Sequence, residues 1–202
     1  MPDVPPGHGD RPLPTAGPGQ VVPTAGFGPV FSLDGITPRI APDAFIAPTA
    51  AVIGDVVIGS ETGIWFHCLV RGDMEFIHIG ARTNIQDGTV IHVDSGGYST
   101  TIGDDVTVGH NAVIHACTPK NRAFVGISAT VLDGAIIEEG GMLAAGGLLT
   151  PGKVIGPNEL WAGTPARLLR VMSPEERAKF DRNAVVYREL ARRFRASLRS
   201  TT

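Results

Sequence analysis

Large aliphatic residues recur at every sixth position along most of the chain. An amphipathic helix repeats near 3.6 residues and a strand near 2, so neither template fits this spacing. A period of six fits a parallel β-helix, in which three short faces make one coil and each hexad turns one aliphatic side chain inward. The step holds in four runs: Ile40, Ile46, Val52, Ile58, Ile64 and Val70; Ile79, Ile85 and Ile91; Ile102, Val108 and Ile114; Val125, Val131, Ile137, Leu143, Leu149 and Ile155.

Glycine often follows the aliphatic residue of a hexad, as at Gly59, Gly80 and Gly103. We expect these glycines to supply the turns between faces. The pattern resembles the left-handed hexapeptide-repeat β-helix, an exception to the usual right-handed crossover. It therefore predicts an all-β fold, a left-handed parallel β-helix over residues 31–172.

The two ends of the chain lack the hexad. Residues 1–30 contain eight Pro and six Gly, which predicts a disordered Pro/Gly-rich tail without a core. Ser173, Pro174 and Glu176 have the order of an N-cap, a first helical position and a capping-box glutamate, which predicts a C-terminal helix over 173–202. We expect this helix to lie along the β-helix with a solvated arginine face; nucleic-acid or membrane binding by the arginines is the alternative. Its apolar stripe is Phe180, Ala184, Tyr187, Ala191, Phe194 and Leu198.

Composition narrows the class of protein. The 202 residues suit one domain, and 17 Lys+Arg against 20 Asp+Glu give a net charge of -3, which argues against nucleic acid as the main partner. No stretch reaches the ~18 apolar residues of a membrane helix, and the first residues lack the apolar run of a secretory signal. Two cysteines indicate a reducing, cytoplasmic setting. Cys68 and Cys117 each precede an inward position by two residues, so we expect core packing and no disulfide.

The order in which the chain visits the three faces predicts which side chains lie next to each other in successive coils. We expect each of the three connections between runs to advance the chain by one face, which puts Val70, Ile91 and Ile114 on the same face of successive coils. The residues that follow these three then form an outward column with a spacing of ~4.8 Å. The column is Arg71, His92 and His115.

The preceding face carries a second polar group. Ile85 and Val108 lie together there, followed by Gln86 and Asp87 and, one coil on, by His110. His92 and His115 can share one metal ion, but His110 cannot easily reach it within one subunit. A threefold assembly would press the His110 face of one subunit against the neighbouring column. Three histidines with an open fourth position hold catalytic zinc.

A single outward histidine on a β-helix is usually a surface residue. We assign that interpretation to His67 and His78, as surface or interface residues, because they have no such alignment. Three of the six histidines, however, lie on the two faces that a threefold axis would bring together. Chance alone would rarely produce that arrangement.

Three motifs in this region resemble the gamma-class carbonic anhydrase family. They are Arg71-Gly72-Asp73; the run from Gly80 to His92 (GARTNIQDGTVIH); and Val108-Gly109-His110-Asn111-Ala112 followed by Ile114-His115. The likeness extends from about residue 31 to the C terminus. It implies a homotrimer of left-handed β-helices with metal sites between subunits.

The resemblance also implies roles for individual residues. It assigns Zn²⁺, or alternatively Fe²⁺ or Co²⁺, to His92, His110 and His115, and a metal-bound hydroxide that hydrates CO₂ reversibly to bicarbonate. Gln86 is then the hydrogen-bond partner of the bound water or CO₂. Arg71 and Asp73 would pair, in a catalytic or a structural role, and Asp87 would orient a neighbouring His or Arg. The list of catalytic and positioning residues is Gln86, Arg71, Asp73 and Asp87.

One departure from the family pattern bears on activity. The resemblance implies an acidic loop with a proton-transferring glutamate, but the connection after His92 (VDSGGYST) contains none, and Met74 stands where a glutamate is expected after Asp73. Water and buffer would then have to remove the proton, which predicts slow or absent turnover. The resemblance implies a carbonic anhydrase, which is a carbon–oxygen lyase. Because of this departure, two alternative functions stay open. One is a non-catalytic metal-binding trimer that acts as a scaffold, and the other is an acyl-CoA-dependent acyltransferase on the same repeat.

Overall fold

The computed structural model describes residues 28–201 as a parallel β-helix followed by one α-helix. The predicted fold class is therefore confirmed. The strands of the described part are β1 (Val30–Phe31), β2 (Arg39–Ile40), β3 (Phe45–Ile46), β4 (Ala51–Ile58), β5 (Gly63–Ile64), β6 (Leu69–Ile79), β7 (Asn84–Ile85), β8 (Val90–His92), β9 (Thr100–Ile102), β10 (Thr107–Val108), β11 (Val113–His115), β12 (Thr118–Pro119), β13 (Phe124–Val125), β14 (Thr130–Val131), β15 (Ile136–Ile137), β16 (Met142–Leu143), β17 (Leu148–Leu149), β18 (Val154–Ile155), β19 (Glu159–Gly163) and β20 (Ala166–Val171).

Strands stack into three faces, which the chain visits in turn. The first face has the order β1-β4-β6-β8-β11-β14-β17. The second face contains β2, the later halves of β4 and β6, then β9 and the sheet β12-β15-β18. The third face has the order β3-β5-β7-β10-β13-β16-β19, and β20 adds an antiparallel edge. Except for β19 and β20, the paired strands are parallel.

The hexad residues fill the interior of the β-helix. All of the aliphatic residues in the predicted series are buried apart from Ile40, which lies half-buried in the first coil. Burying one such side chain stabilises a fold by about 1.5–3 kcal/mol. The six-residue period therefore supplies one continuous apolar core along the axis.

Glycines after the hexad residue have a different role from the predicted one. Gly59 and Gly103 do not have left-handed backbone angles, and the corners are made by polar residues such as Arg82 and Asp105, both at φ 55°. A Cβ on Gly59 would lie 2.7 Å from the backbone N of Ala81 in the next coil. These glycines are needed because successive coils approach closely, so the expectation that they make the turns was wrong.

The connections between hexad runs follow the prediction in two cases of three. Those after Val70 and Ile91 advance the chain by one face. The connection after Ile114 advances it by two, because Thr118–Pro119 forms β12 on the second face and Val125 then lies on the third. The error arose because proline replaces the aliphatic residue at that step. It leaves the register of the histidine strands unchanged.

The β-helix begins within the predicted tail. Residues 1–27 of that tail lie outside the described residues. The backbone N–H of Gly28 donates to the carbonyl of Ile46 at 3.2 Å, and Val30 pairs with Val52 of β4. Residues 28–30 are thus part of the first coil, and the predicted boundary after residue 30 falls inside β1.

The C-terminal helix α1 (Pro174–Ser197) covers part of the third face. Ser173 is its N-cap, and the side chains of Ser173 and Glu176 form the predicted capping box. The apolar stripe packs on the strands below: Phe194 contacts Trp65 edge-on with ring centroids 5.2 Å apart, and the ring of Phe180 lies 5.2 Å from that of Phe124. Aromatic contacts of this kind favour burial of one helix face.

Arginines of α1 fix the helix to the β-helix rather than forming only a solvated face. Arg177 is 4% exposed; its guanidinium donates to the carbonyl of Gly140 at 2.9 Å and also binds Asp181 on the next turn of the helix. Arg192 forms an ion pair with Glu61 at a corner of the β-helix. The expectation of a solvated arginine face was therefore wrong for Arg177, which is buried, whereas Arg192 stays exposed while Glu61 accepts its hydrogen bond.

Both cysteines are buried free thiols, as predicted. Burial raises the pKa of the Cys68 thiol to about 12 and raises that of Cys117 as well. Neither thiol is therefore ionised near neutral pH. Within residues 28–201, no helix combines the length and the apolar character that a membrane span requires.

The close approach of coils yields a stability prediction. Gly126→Ala should destabilise the fold by about 1–3 kcal/mol, because the new Cβ would lie 2.3 Å from the backbone N of Ala145. Gly96→Ala is the matched control, since its Cβ would meet nothing closer than 3.6 Å. Thermal unfolding followed by circular dichroism measures both. Equal melting temperatures for the two variants would contradict the close-approach explanation.

Candidate metal centre

Two histidines lie side by side on the first face. Strands β8 and β11 end in His92 and His115, which are register partners. Their ring centroids are 5.3 Å apart, and Nδ1 of His92 lies 3.3 Å from Nε2 of His115. The hydrogen-bond ladder between the coils therefore sets this distance, as the face count anticipated.

A carboxylate binds the outer nitrogen of each ring. Nε2 of His92 lies 2.8 Å from Oδ1 of Asp73, and Nδ1 of His115 lies 2.5 Å from Oδ1 of Asp133. A carboxylate at one nitrogen fixes the proton there and leaves the lone pair of the other nitrogen free for a metal ion, as is usual for histidine ligands. The two free lone pairs belong to the pair of nitrogens that face each other.

The spacing of these facing nitrogens suits a tetrahedral ion. With metal–nitrogen bonds of about 2.0–2.1 Å, two ligands of a tetrahedral Zn²⁺ lie about 3.3–3.4 Å apart. The observed 3.3 Å between His92 Nδ1 and His115 Nε2 matches that separation. The donor chemistry and the geometry of this pair therefore fit a divalent cation.

Arg71 and Asp73 form the predicted ion pair beside His92. They flank Gly72, where β6 bends from the first face to the second; a Cβ on Gly72 would lie 2.6 Å from the carbonyl oxygen of Asp55. Partial burial raises the pKa of Asp73, but the hydrogen bond with His92 and the charge of Arg71 outweigh that effect and lower it below its usual value. Asp73 is therefore ionised at neutral pH and orients His92.

His110 lies on another corner, after β10 of the third face. Its Nδ1 is 2.9 Å from Oδ2 of Asp87, and its Nε2 is 3.3 Å from the hydroxyl of Tyr187 on α1. The role of Asp87 as the acceptor of a neighbouring histidine was anticipated. Burial, together with the charge of Asp87, raises the pKa of Tyr187, so its phenol is neutral at physiological pH.

Gln86 is fixed by a buried amide chain next to His110. The side chain of Gln86 is donor to Oδ1 of Asn84 at 3.0 Å, and Nδ2 of Asn84 donates to Oγ1 of Thr107 at 2.9 Å. Gln86, Asn84 and Thr107 are 6%, 2% and 2% exposed. Buried networks of this kind hold an amide in one orientation.

One chain does not bring all three histidines together. Among residues 28–201, no group of three or more His, Cys, Asp or Glu side chains is arranged to hold a metal ion. The pair on the first face supplies two donors, and His110 lies at the third face. His67 and His78 are exposed.

Three residues of this region carry roles that sequence reasoning did not assign. Asp133 lies on the coil after His115, but Ile114 pairs with Val131, 17 residues on, so counting faces would have stacked Leu132 on His115 and the period held no signal for this contact. Asn84 stands two residues before Gln86 on a strand, so both point to the same side. Tyr187 was placed in the helix stripe, but its contact with His110 depends on how α1 docks, which no local pattern encodes.

Two carbonic anhydrases are similar to this chain in sequence. The chain is 44% identical over 159 residues to gamma carbonic anhydrase 1, mitochondrial, of Arabidopsis thaliana, a match that covers 76% of this chain and 58% of that protein. It is 44% identical over 162 residues to a carbonic anhydrase of Geobacillus kaustophilus, which covers 80% and 88% of the two chains. The chain thus spans less than two thirds of the Arabidopsis relative. No protein-family model matches it.

A solved structure has the same architecture. The crystal structure of a hexapeptide transferase family protein from Anaplasma phagocytophilum matches with a TM-score of 0.79 and 46% sequence identity. The match covers 82% of this chain and 97% of that one. The fold is thus a known architecture, and the chemistry has to be argued from the side chains.

The carboxylate beside His115 gives a prediction on metal affinity. Asp133→Asn should weaken Zn²⁺ binding by about 10- to 100-fold, because a neutral amide oxygen is a weaker acceptor for the ring N–H than the carboxylate and orients the imidazole less firmly. Asp94→Asn is the control, since that carboxylate accepts from the backbone N–H of Ser95 in an exposed loop. Competition with a chromogenic chelator measures the affinities. Unchanged affinity in Asp133→Asn would show that this contact does not support a ligand.

Proposed function

The chain belongs to the gamma carbonic anhydrase family, and we propose that it hydrates CO₂ reversibly to bicarbonate at metal sites between the subunits of a homotrimer. The ligands are His92 and His115 of one subunit and His110 of a neighbour. The observation that carries the proposal is that each of these imidazoles has a carboxylate at one nitrogen, which leaves the lone pair on the other nitrogen.

The placement of the histidines supports a shared site. Each subunit carries two of the three proposed metal ligands, His92 and His115, on its first face and the third, His110, on its third face. Neither place on the surface therefore holds a complete set of ligands. A closed cyclic trimer repeats one contact three times and can join the two places at every interface. Three histidines then leave a fourth position open.

The metal is Zn²⁺ in this proposal, with Fe²⁺ or Co²⁺ as alternatives that histidine also binds. When bound, such a cation lowers the pKa of a coordinated water from 15.7 to about 7. The chain supplies the orientation: Asp73, Asp133 and Asp87 keep the ring protons on the outer nitrogens. Arg71 neutralises the charge of Asp73 and holds it toward His92.

Gln86 is the residue we assign to the substrate side of the site. Because one N–H of its amide is engaged by Asn84, its carbonyl oxygen and its second N–H are held in a fixed direction. An amide held this way can accept from a water and donate to an oxygen of CO₂ or bicarbonate. Replacing Gln86 would therefore affect turnover more than metal content.

The alternatives make different demands on the chain. A scaffold trimer would need the three histidines for metal but not the buried amide chain of Gln86. An acyl-CoA-dependent acyltransferase would need one histidine as a general base. Such an enzyme would not require three imidazoles that each contact a carboxylate. Gln86 and its partners thus favour the enzymatic proposal.

Mixed trimers test whether the site is shared. His110→Ala chains and chains carrying both His92→Ala and His115→Ala should bind no zinc as separate homotrimers. Co-expressed and purified by two different tags, a mixed trimer should hold one zinc ion, because one of its three interfaces combines an intact His92/His115 pair with an intact His110. Elemental analysis gives the stoichiometry. Zinc retained by the His110→Ala homotrimer would disprove the ligand assignment.

A stopped-flow assay tests the activity itself. Wild-type protein loaded with Zn²⁺, or with Fe²⁺ without oxygen, should hydrate CO₂, and Gln86→Leu should lower kcat by about 10-fold or more with zinc content unchanged. Asp94→Asn should behave as wild type. No activity with either metal at several pH values, in protein that holds metal, would leave the scaffold as the function.

Turnover should depend on buffer. The loop after His92 contains no glutamate, so buffer must accept the proton that water releases. We expect kcat to rise with the concentration of imidazole buffer at constant ionic strength, and kcat/KM to change little. A kcat independent of buffer concentration would mean that a residue of the chain transfers the proton.

A further inference from the structure

The loop between β8 and β9, residues 93–99, begins and ends beside His92. Val93 is fully buried, and the hydroxyl of Thr100, the first residue of β9, donates to the carbonyl of His92 at 2.8 Å. The loop contains Tyr98, whose side chain is half-buried. A group that Tyr98 contacts is therefore tied to the strand end that carries the first histidine of the candidate pair.

Three successive coils are hydrogen-bonded to one another at this edge of the β-helix. The backbone N–H of Ala116 donates to the carbonyl of His92 at 3.1 Å, and that of Gly134 donates to the carbonyl of Ala116 at 2.8 Å. The ring of Tyr98 lies against the third coil, because a Cβ on Gly134 would lie 3.3 Å from Cε1 of Tyr98. The loop thus joins the coil of His92 to the coil two steps further on.

Asp133 depends on the corner at Gly134 for its direction. It follows β14 (Thr130–Val131) by two residues and lies one residue beyond the position that continues the strand register, so the corner sets where its carboxylate points. Gly134, the next residue, has a φ of 65° and no side chain. Glycine gives a corner more backbone freedom than other residues do, and a ring packed against it leaves it less room to move.

The following coil shows that this contact belongs to the corner of Asp133. Gly152 has nearly the same φ, 66°, and follows Pro151, yet a Cβ on Gly152 would meet nothing within 4 Å. The corner that places a carboxylate on His115 has a ring packed on it, whereas the next corner, which carries no such group, is open. The ring of Tyr98 therefore covers the corner at which direction matters for a histidine.

We infer that Tyr98 is a positioning residue for the candidate metal pair: its ring packs on Gly134 and keeps the Asp133 carboxylate on Nδ1 of His115. The inference rests on the proposed function, because it treats His92 and His115 as ligands of one ion. It adds the loop after His92 to the parts of the chain that set the separation of the two rings.

The test measures the Zn²⁺ affinity of the full-length protein by competition with a chromogenic chelator. Tyr98→Ala removes the ring, and Tyr98→Phe is the matched variant that keeps it. Tyr98→Ala is also combined with Asp133→Asn and, separately, with Asp73→Asn, which alters the carboxylate beside the other histidine. Melting temperatures and gel filtration check that each variant folds and assembles as wild type does.

We expect Tyr98→Ala to weaken Zn²⁺ binding by about 5- to 10-fold, less than Asp133→Asn does, because the carboxylate remains but is oriented less firmly. Tyr98→Phe should stay within about 2-fold of wild type, because the packed ring is retained. In the Asp133→Asn background, Tyr98→Ala should change the affinity by less than about 2-fold, since residues that act through one contact are not additive. In the Asp73→Asn background it should have its full effect.

Three results would overturn the inference while the proposed function stands. Unchanged affinity in Tyr98→Ala would show that the ring does not support a ligand. An equal loss in Tyr98→Phe would assign the effect to the hydroxyl and not to packing on Gly134. A loss that persists in full in the Asp133→Asn background would show that Tyr98 does not act through that carboxylate. If the wild-type protein binds no zinc, the proposed function itself fails, and the inference fails with it.

Discussion

Parallel hydrogen bonding between successive coils determines where every side chain of the β-helix lies. Each coil stacks on the one before at one strand spacing, about 4.8 Å, and the register is continuous from β8 through β11 to β14. That stacking requires glycine where two corners meet, as at Gly59 and Gly103. It also converts distance along the chain into distance in space, so residues one coil apart become neighbours.

The candidate site is a direct consequence of this stacking. His92 and His115 are register partners one coil apart, and on the other face Asp87 and His110 are stacked in the same way. Asp133 lies on the coil after His115, one residue beyond the position that continues the β11–β14 register. A fold that repeats one short unit can build a chain of acid and imidazole groups from outward positions alone, without disturbing the apolar interior. The corner at Gly72, where a Cβ would lie 2.6 Å from the carbonyl oxygen of Asp55, brings Asp73 to the free edge of His92.

Helix α1 adds what the repeat cannot provide. Outward positions of a β-helix face solvent, but the third face is covered by α1, and Asn84 and Thr107 become buried there. Burial makes their hydrogen bonds obligatory and fixes the amide of Gln86. The same helix brings Tyr187 to His110. The site therefore combines a rigid ladder with a second element that docks from the side.

The sequence by itself determined the β-helix, because a period of six over so many residues has no other simple interpretation, and it determined the capped C-terminal helix. It also determined the pairing of His92 with His115 and of Asp87 with His110, since a face count needs only the inward positions. It misjudged the connection after Ile114, where Pro119 stands in the aliphatic slot.

Only the tertiary structure decided the other contacts. The roles of Arg177 and Tyr187 depend on where α1 docks, and that docking is set by packing between residues far apart in the chain. Likewise, the close approach that excludes a side chain at Gly59 involves backbone atoms of the next coil, which have no signature in a local pattern. A period encodes which residues stack, whereas the distances between coils and the placement of a packed helix arise from contacts that form only when the chain is folded.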